Sequence, residues 1–236
     1  MEREAKPRAG VLYVVGTPIG NLEDITLRAL KTLAGVDLIA AEDTRRTRKL
    51  LSRCEIVGKR LESHHDHNKE VRTHGLLRRL EQGESVALVT DAGTPGLSDP
   101  GYYLVKRAIE AGIAVVPIPG PSALTAALSS SGLPTDRFAF EGFLPVKSGR
   151  RQRRLEALSR ETRTVVLFES PHRITKLLSE LEERMAGRQV VVARELTKIH
   201  EEFFRGTVRE VTERIGGKKA RGEYVVLIAP DKDGDD

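Results

Sequence analysis

Four short polar stretches of this 236-residue chain carry side chains able to move protons or hold anions. "HHDHN", 64–68, sets three histidines and Asp66 within five residues. A metal site needs about three or four converging ligands, and no Cys/His cluster elsewhere in the chain accompanies this one. No metal is therefore expected, and His65 and Asp66 read as acid/base groups or as a polar loop facing a substrate. "FESPHR", 168–173, brings Glu169, His172 and Arg173 to the end of an apolar run, where helix capping is the competing use. "ARELTK", 193–198, ends another such run with Arg194, Glu195 and Lys198. Lys198 serves as a base only where burial or a neighbouring cation lowers its pKa. "EDTR", 42–45, leaves a further apolar run, and Arg45 and Arg46 beside it suit phosphates. Basic tracts recur at Lys147–Arg154 and Lys218–Arg221. Phosphate binding requires such charges, although a solvated helix face carries them too.

A second kind of signal is the backbone itself. "GTPIGN", "DAGTPGLSDPG" and "PGPSA" each follow an apolar run and are rich in glycine and proline. In an open α/β sheet ligands bind beyond the carboxyl ends of the strands, so three such loops share one edge. Their small residues let backbone groups approach a ligand closely. No G-x-G-x-x-G follows the first strand and no G-x-x-x-x-G-K-[ST] occurs, which disfavours a Rossmann dinucleotide site and a P-loop. Few cations sit inside these loops, against a triphosphate. Asp91 suits a ligand with amino or hydroxyl donors, such as a nucleoside carrying a short amino acid.

The elements that must position these groups are legible in the patterning. "VLYVV", "DLIAA", "SVALVT" and "IAVVPIP" read as buried strands. They alternate with helical patterns from Ile25, over "EDTRRTRKLL", over "NKEVRTHGLLRRLEQG" ending at Gly83, over "GYYLVKRAIEAG" ending at Gly112, and over "PSALTAALSSSG". That alternation predicts a mainly parallel sheet. "LPTDR", 133–137, reads as a boundary, after which strands and helices restart: "FAFEGFL", "RRQRRLEALSR", "TVVLFE", a helix capped by Ser170 with Pro171 at its first position, "QVVVARE", "HEEFFRG", "TVREVTERIG" and "GEYVVLIA". The expected organisation is a frayed tail over 1–10, an α/β domain over 11–133, a second over 138–230 and a tail over 231–236.

Composition sets the outer limits. The formal charge of +5 fits nucleic-acid contact without establishing it. Cys54 is the only cysteine, so no intrachain disulfide forms and a reducing compartment is favoured. No run approaches the ~18 apolar residues of a membrane span, and the charged start lacks the apolar core of a secretory signal. A soluble, cytoplasmic protein is expected.

Taken in order, "GTPIGNLEDITLRAL", "LIAAEDTR", "HDHN", "DAGTPGLSDPGY", "PGPSALTAALSSSGLPTDRFAFEGFLP", "FESPHR" and "ARELTK" resemble the ribosomal RNA small subunit methyltransferase I family over almost the whole chain, from about Val11 to Ala229. The resemblance implies two α/β lobes of the tetrapyrrole-methylase type, with S-adenosylmethionine in the cleft between them. It implies methyl transfer to the ribose 2′-oxygen of a cytidine, cytidine 1402, in 16S rRNA of the small ribosomal subunit, by a homodimer. Matching motif positions implies that Pro18, Asp91, Gly93, Thr94, Pro95, Ser122 and Ala123 line the cofactor from the first lobe. Phe168, Ala193 and Tyr224 approach from the second, with Glu169 beside them. Proton acceptors are sought among Glu169, His65, Asp66, Glu195 and Lys198, and RNA contacts among Arg45, Arg46, Lys147, Arg150, Arg151 and Arg173. Many family members carry a further C-terminal segment after the last strand, whose contribution to RNA docking is expected to be absent here or supplied elsewhere. A tetrapyrrole methyltransferase and a non-catalytic RNA-binding assembly protein are the alternatives. With aromatics at 4%, RNA recognition is expected to lean on shape and phosphates.

Overall fold

The computed structural model describes residues 10–216 and 221–231. The expected tails, except Gly10 and Asp231, lie outside the described residues, as do Lys218, Lys219 and Ala220 of the third basic tract. Two compact units divide at Ser122/Ala123.

In the first unit five strands form one parallel sheet: β1 (Val11–Val15), β2 (Leu38–Ala41), β3 (Arg60–Ser63), β4 (Val86–Val89) and β5 (Ala114–Ile118), in the order β3-β2-β4-β1-β5. β2 and β4 are buried at every position, which is why they read as unbroken apolar runs. Four helices connect them: α1 (Leu27–Gly35), α2 (Thr44–Arg53), α3 (Lys69–Glu81) and α4 (Tyr102–Glu110). Leu33 of α1 and Leu51 of α2 share a core with Val15, Ile39 and Val89. Leu76 and Leu80 of α3 and Leu104 of α4 pack instead with Leu12, Leu38 and Leu88. These two clusters use alternate residues of the same strands, so the helix pairs cover opposite faces. Along the sheet, neighbouring strands β3, β2, β4 and β1 hand the chain to opposite faces in turn. Their carboxyl-end loops therefore diverge pairwise, which is where an open sheet forms crevices. The sequence reading lacked β3. "RLES" holds one apolar residue in four and forms a sheet edge, so it carries no periodic signal.

The second unit contains α5 (Ala123–Ser131), α6 (Ser148–Leu158), α7 (Ile174–Met185) and α8 (Val208–Gly216). Its strands are β6 (Phe138–Phe143), β7 (Thr164–Glu169), β8 (Gln189–Arg194), β9 (Glu202–Thr207) and β10 (Tyr224–Ile228), ordered β6-β7-β10-β8-β9. β6 and β7 run parallel and the other pairs antiparallel. Leucines of α6 and α7 and Val208, Val211 and Ile215 of α8 join Val165, Leu167, Val192 and Val226 in one core.

Two differences from the sequence reading have clear causes. The compact units part before α5, not at 133/138, because α5 packs on β10 and Arg205 Nη2 donates to the Ser130 carbonyl at 2.7 Å. "LPTDR" is a connection inside the second unit. α7 begins at Ile174 with Arg173 as its N-cap, because the Ser170 amide donates to Glu169 Oε1 at 2.8 Å and residues 171–173 form a turn. Leu167 is fully buried in the second core. Leu167→Ala should cost about 2–5 kcal/mol, read as a lower urea midpoint for the second unit's unfolding.

Candidate functional site

The carboxyl edge of the first sheet is stitched together by its own main chain. Thr17 and Gly93 exchange backbone hydrogen bonds, 2.9 Å from the Thr17 amide and 3.0 Å from the Gly93 amide, joining the β1 and β4 loops. The buried Thr17 hydroxyl adds contacts of 3.3 Å to the carbonyls of Thr90 and Gly93. Gly16 and Gly120 bring the β1 and β5 loops so close that a Cβ on Gly16 would lie 2.8 Å from the Gly120 Cα. A Cβ on Gly120 would lie 2.8 Å from the Gly16 carbonyl oxygen. Only glycine permits that approach. Gly93 has φ +80°, another position that disfavours a side chain. Pro18, Thr94 and Ser122 are partly exposed along this edge, Pro95 is buried, and Ala123 opens α5.

The β2 loop joins the same layer. Asp91 Oδ1 accepts the Asp43 amide at 3.2 Å, and the Asp91 amide donates to Glu42 Oε2 at 3.2 Å. Arg46 reaches Asp91 Oδ2 at 3.1 Å. Arg46 and Asp91, assigned from sequence to different partners, are thus one ion pair. Burial raises the pKa of Glu42 above its ordinary 4.5; the Asp91 amide opposes this and the Asp91 charge adds to it. Glu42 was missed in the sequence reading, although it is the first residue past β2 and heads a quoted motif. Arg45 is exposed and forks onto Asp43, which it holds well below the usual carboxylate range.

At the β3 end, His64 is buried with Nε2 3.2 Å from Thr73 Oγ1, and burial depresses its pKa. Asn68 Oδ1 accepts the His65 amide at 2.9 Å, which orients its Nδ2 toward His65 Nε2 at 3.2 Å. His65 Nε2 thus meets the Asn68 amide, and its Nδ1 is buried with no hydrogen-bond partner among the described residues. Both ring nitrogens of His65 are therefore either engaged by Asn68 or buried. Asp66 is exposed and pairs with Lys69 at 3.1 Å.

In the second unit the expected residues separate. Phe168 and Ala193 both pair with Val225, so they lie on one face of the sheet. Tyr224 pairs with Glu169 and Arg194 and points to the other face, into the helix-covered core at 4% exposure. Tyr224 is therefore a core residue and not a neighbour of Phe168, a one-residue parity that the sequence did not display. Glu169 is buried too, 3.3 Å from Arg173 Nε and 3.6 Å from Arg151 Nη2. Arg151 reaches Glu180 at 2.7 Å and is 2% exposed, which removes it from any surface RNA set. Arg173 is likewise committed inward, with Nη2 donating to the Leu144 carbonyl at 2.8 Å. Lys147 and Arg150 are exposed. Lys198 Nζ lies 2.9 Å from Glu195 Oε1 and 2.9 Å from Glu223 Oε2. Burial alone would lower the Lys198 pKa, but the two carboxylates outweigh it and the net direction is upward. The lowering that a base role requires does not occur. Burial also pushes the Cys54 thiol up, leaving no activated nucleophile there.

These features define a class. The model of the tetrapyrrole (corrin/porphyrin) methylases matches residues 11–212, and the chain belongs to that family and is a methyltransferase. It is 52% identical to the Synechocystis sp. protein named ribosomal RNA small subunit methyltransferase I, over 93% of this chain and 79% of that one. It is 50% identical to the protein of the same name from Thermotoga maritima, over 93% of this chain and 98% of that one. Among solved structures, uroporphyrin-III C-methyltransferase from Thermus thermophilus complexed with S-adenosyl homocysteine superimposes with a TM-score of 0.64 at 22% identity, covering 93% of this chain and 97% of that one. That last likeness concerns the fold.

The buried His64 generates a stability prediction. A histidine whose folded pKa is depressed binds its proton more readily when unfolded, so its contribution is complete above about pH 6.5 and declines as pH falls toward the folded pKa. The urea midpoint of the wild type should fall more between about pH 7.5 and about pH 5 than that of His64→Gln. Parallel curves would exclude His64 as the source.

Proposed function

We propose that the chain transfers the methyl group of S-adenosylmethionine to the ribose 2′-oxygen of cytidine 1402 in 16S rRNA of the small ribosomal subunit, acting in the cytoplasm as a homodimer. The observation that carries the reading is the edge stitched by Thr17–Gly93 and Gly16–Gly120, in a chain half identical to proteins named for rRNA methylation. The rRNA substrate comes from those names; the cofactor class comes also from the edge.

The residues present fit S-adenosylmethionine. The close approach of Gly16 and Gly120 and the positive φ of Gly93 make a cradle that any Cβ would fill or strain. Pro18, Gly93, Thr94, Pro95 and Ser122 would hold the nucleoside and amino-acid ends through backbone groups and small side chains. Asp91, already fixed by Arg46 and the Asp43 amide, keeps lone pairs for a ligand donor. When bound, the cofactor supplies an electrophilic methyl carbon on a positive sulfur. The chain's own task is alignment: holding reacting atoms in line is worth up to about 7–11 kcal/mol.

The acceptor hydroxyl must also lose its proton. Glu42 is the carboxylate best placed to take it. It sits beside Asp91 on the cradle's edge, and its raised pKa is the direction that strengthens a base working near neutrality. His65 Nε2 is engaged by Asn68, and Glu195 and Glu223 hold the Lys198 pKa up.

Four measurements check this. Titration calorimetry should find binding of S-adenosylmethionine or its demethylated product to the wild type and its loss in Gly120→Ala with the circular dichroism spectrum preserved; a wild type that binds neither sinks the reading. Glu42→Gln keeps an acceptor for the Asp91 amide, so it should retain cofactor affinity while losing about 10²–10⁴-fold in turnover. A base works unprotonated, so the wild-type rate should fall as pH drops through the raised Glu42 pKa, and that limb should vanish in Glu42→Gln. Radiolabelled cofactor with small subunits lacking the modification should place label in a cytidine ribose. Binding without transfer would instead identify an assembly protein.

A further inference from the structure

The outer face of α6 and the edge strand β6 enclose a groove of about 410 Å³ in the second unit. Arg150, Arg153, Arg154 and Ala157 line it, and their spacing puts them on one side of the helix. The opposite side of α6, with Arg151, Leu155 and Leu158, is buried. Glu141 and Phe143 of β6 complete its lining, with the Phe143 ring on the Phe168 face of the sheet, opposite to the face that α6 covers. β6 shifts register between Phe140 and Gly142, where Gly142 has φ +60°. Beyond the shift Phe143 pairs with Phe168, its ring edge-on to Phe168 at 5.9 Å between centroids, while the residue stays 50% exposed.

The charges in the groove do not cancel. Glu141 is its one acid, and Arg154 holds both carboxylate oxygens, with 2.7 Å from Nε to Oε2. Arg150 and Arg153 have no carboxylate partner among the described residues, and neither does exposed Lys147 at the start of α6. A strand edge with unpaired guanidiniums on one side and an exposed aromatic ring on the other suits an RNA strand that crosses it, with phosphates on the cations and an unpaired base on the ring. An acidic peptide would use the cations but leave the ring without a function.

We infer that this groove and the β6 edge beside it form an RNA subsite, in which Phe143 stacks one unpaired nucleobase of the substrate RNA and Arg150 and Arg153 hold the flanking phosphates. The inference rests on the rRNA reading above and deepens it. It replaces Arg151 and Arg173, both turned inward, by Arg153 and Phe143. It adds one stacked base to the expectation that recognition leans on shape and phosphates.

The test uses the full-length chain, a short labelled single-stranded RNA and unmodified small subunits. Phe143→Leu keeps the apolar contact with Phe168 but removes the aromatic face; it should weaken RNA binding by about 5- to 150-fold. Arg150→Ala with Arg153→Ala should weaken it too and reduce the slope of log affinity against log salt by about 1.4. Both should leave cofactor affinity at the wild-type value, and both should raise KM for subunits. RNA affinity and salt slope equal to wild type in both variants would overturn the subsite. So would poly-glutamate that competes with RNA and is lost only with the arginines. Failure of the wild type to bind the cofactor would overturn the reading of the first-unit edge, a separate outcome.

Discussion

The first unit depends on a contact that has no side chain in it. Gly16 and Gly120 meet main chain to main chain, and the adjacent Thr17 pairs with Gly93 in an antiparallel bridge beyond the parallel strands. Strands β1, β4 and β5 would otherwise release their loops to diverge. Pinned in this way, the loops become an ordered surface before any ligand arrives, and the entropy of ordering them is not charged against binding. The same pinning explains why small and rigid residues fill "DAGTPGLSDPG". Gly101 has φ +143° and would place a Cβ 3.1 Å from Leu88, so the segment is closed against the core at both ends. Asp91 extends the layer to β2 through the Asp43 and Glu42 contacts. A carboxylate with fixed partners and one with a raised pKa thus stand side by side, and their different environments suit different tasks.

The second unit solves another problem, charge inside a core. Arg151 and Glu169 are almost wholly buried, with Glu180 and Arg173 completing the cluster. Ion pairs of this kind gain little net stability because desolvation offsets attraction, yet removing one partner strands the other at about 3–5 kcal/mol. The cluster ties α6, the end of β7 and the turn before α7 together. It thereby fixes the α6 register and decides which of its arginines face outward.

Much of this fold was legible in the sequence. β1, β2, β4, β7 and β10 are central or doubly covered, so their apolar runs coincide with the strands. β3 escaped because an edge strand with one apolar residue has no pattern. The α5 boundary was misplaced because turn residues mark a loop and not the sheet a helix packs on. The cradle was legible as composition, since three glycine-rich loops after parallel strands must share an edge. Its geometry was not, because nothing in "GTP" or "PGP" says that Gly16 will touch Gly120. Tyr224 and Arg151 were misassigned for the same reason: facing direction depends on strand register and helix phase against partners distant in sequence. The direction of the Lys198 shift depends on Glu223, which lies on the other side of α8 in the chain.

The register shift in β6 has a consequence of its own. In a regular strand, residues three apart look to opposite sides. Here Phe140 pairs with Val166 and Phe143 with Phe168, so both rings gather on one side. A single supernumerary residue, Glu141, inverts the parity. Loss of one codon there would leave the composition almost unchanged while turning every later side chain of the strand the other way. Length at this point is thus as much a specification of the surface as the identity of any residue on it.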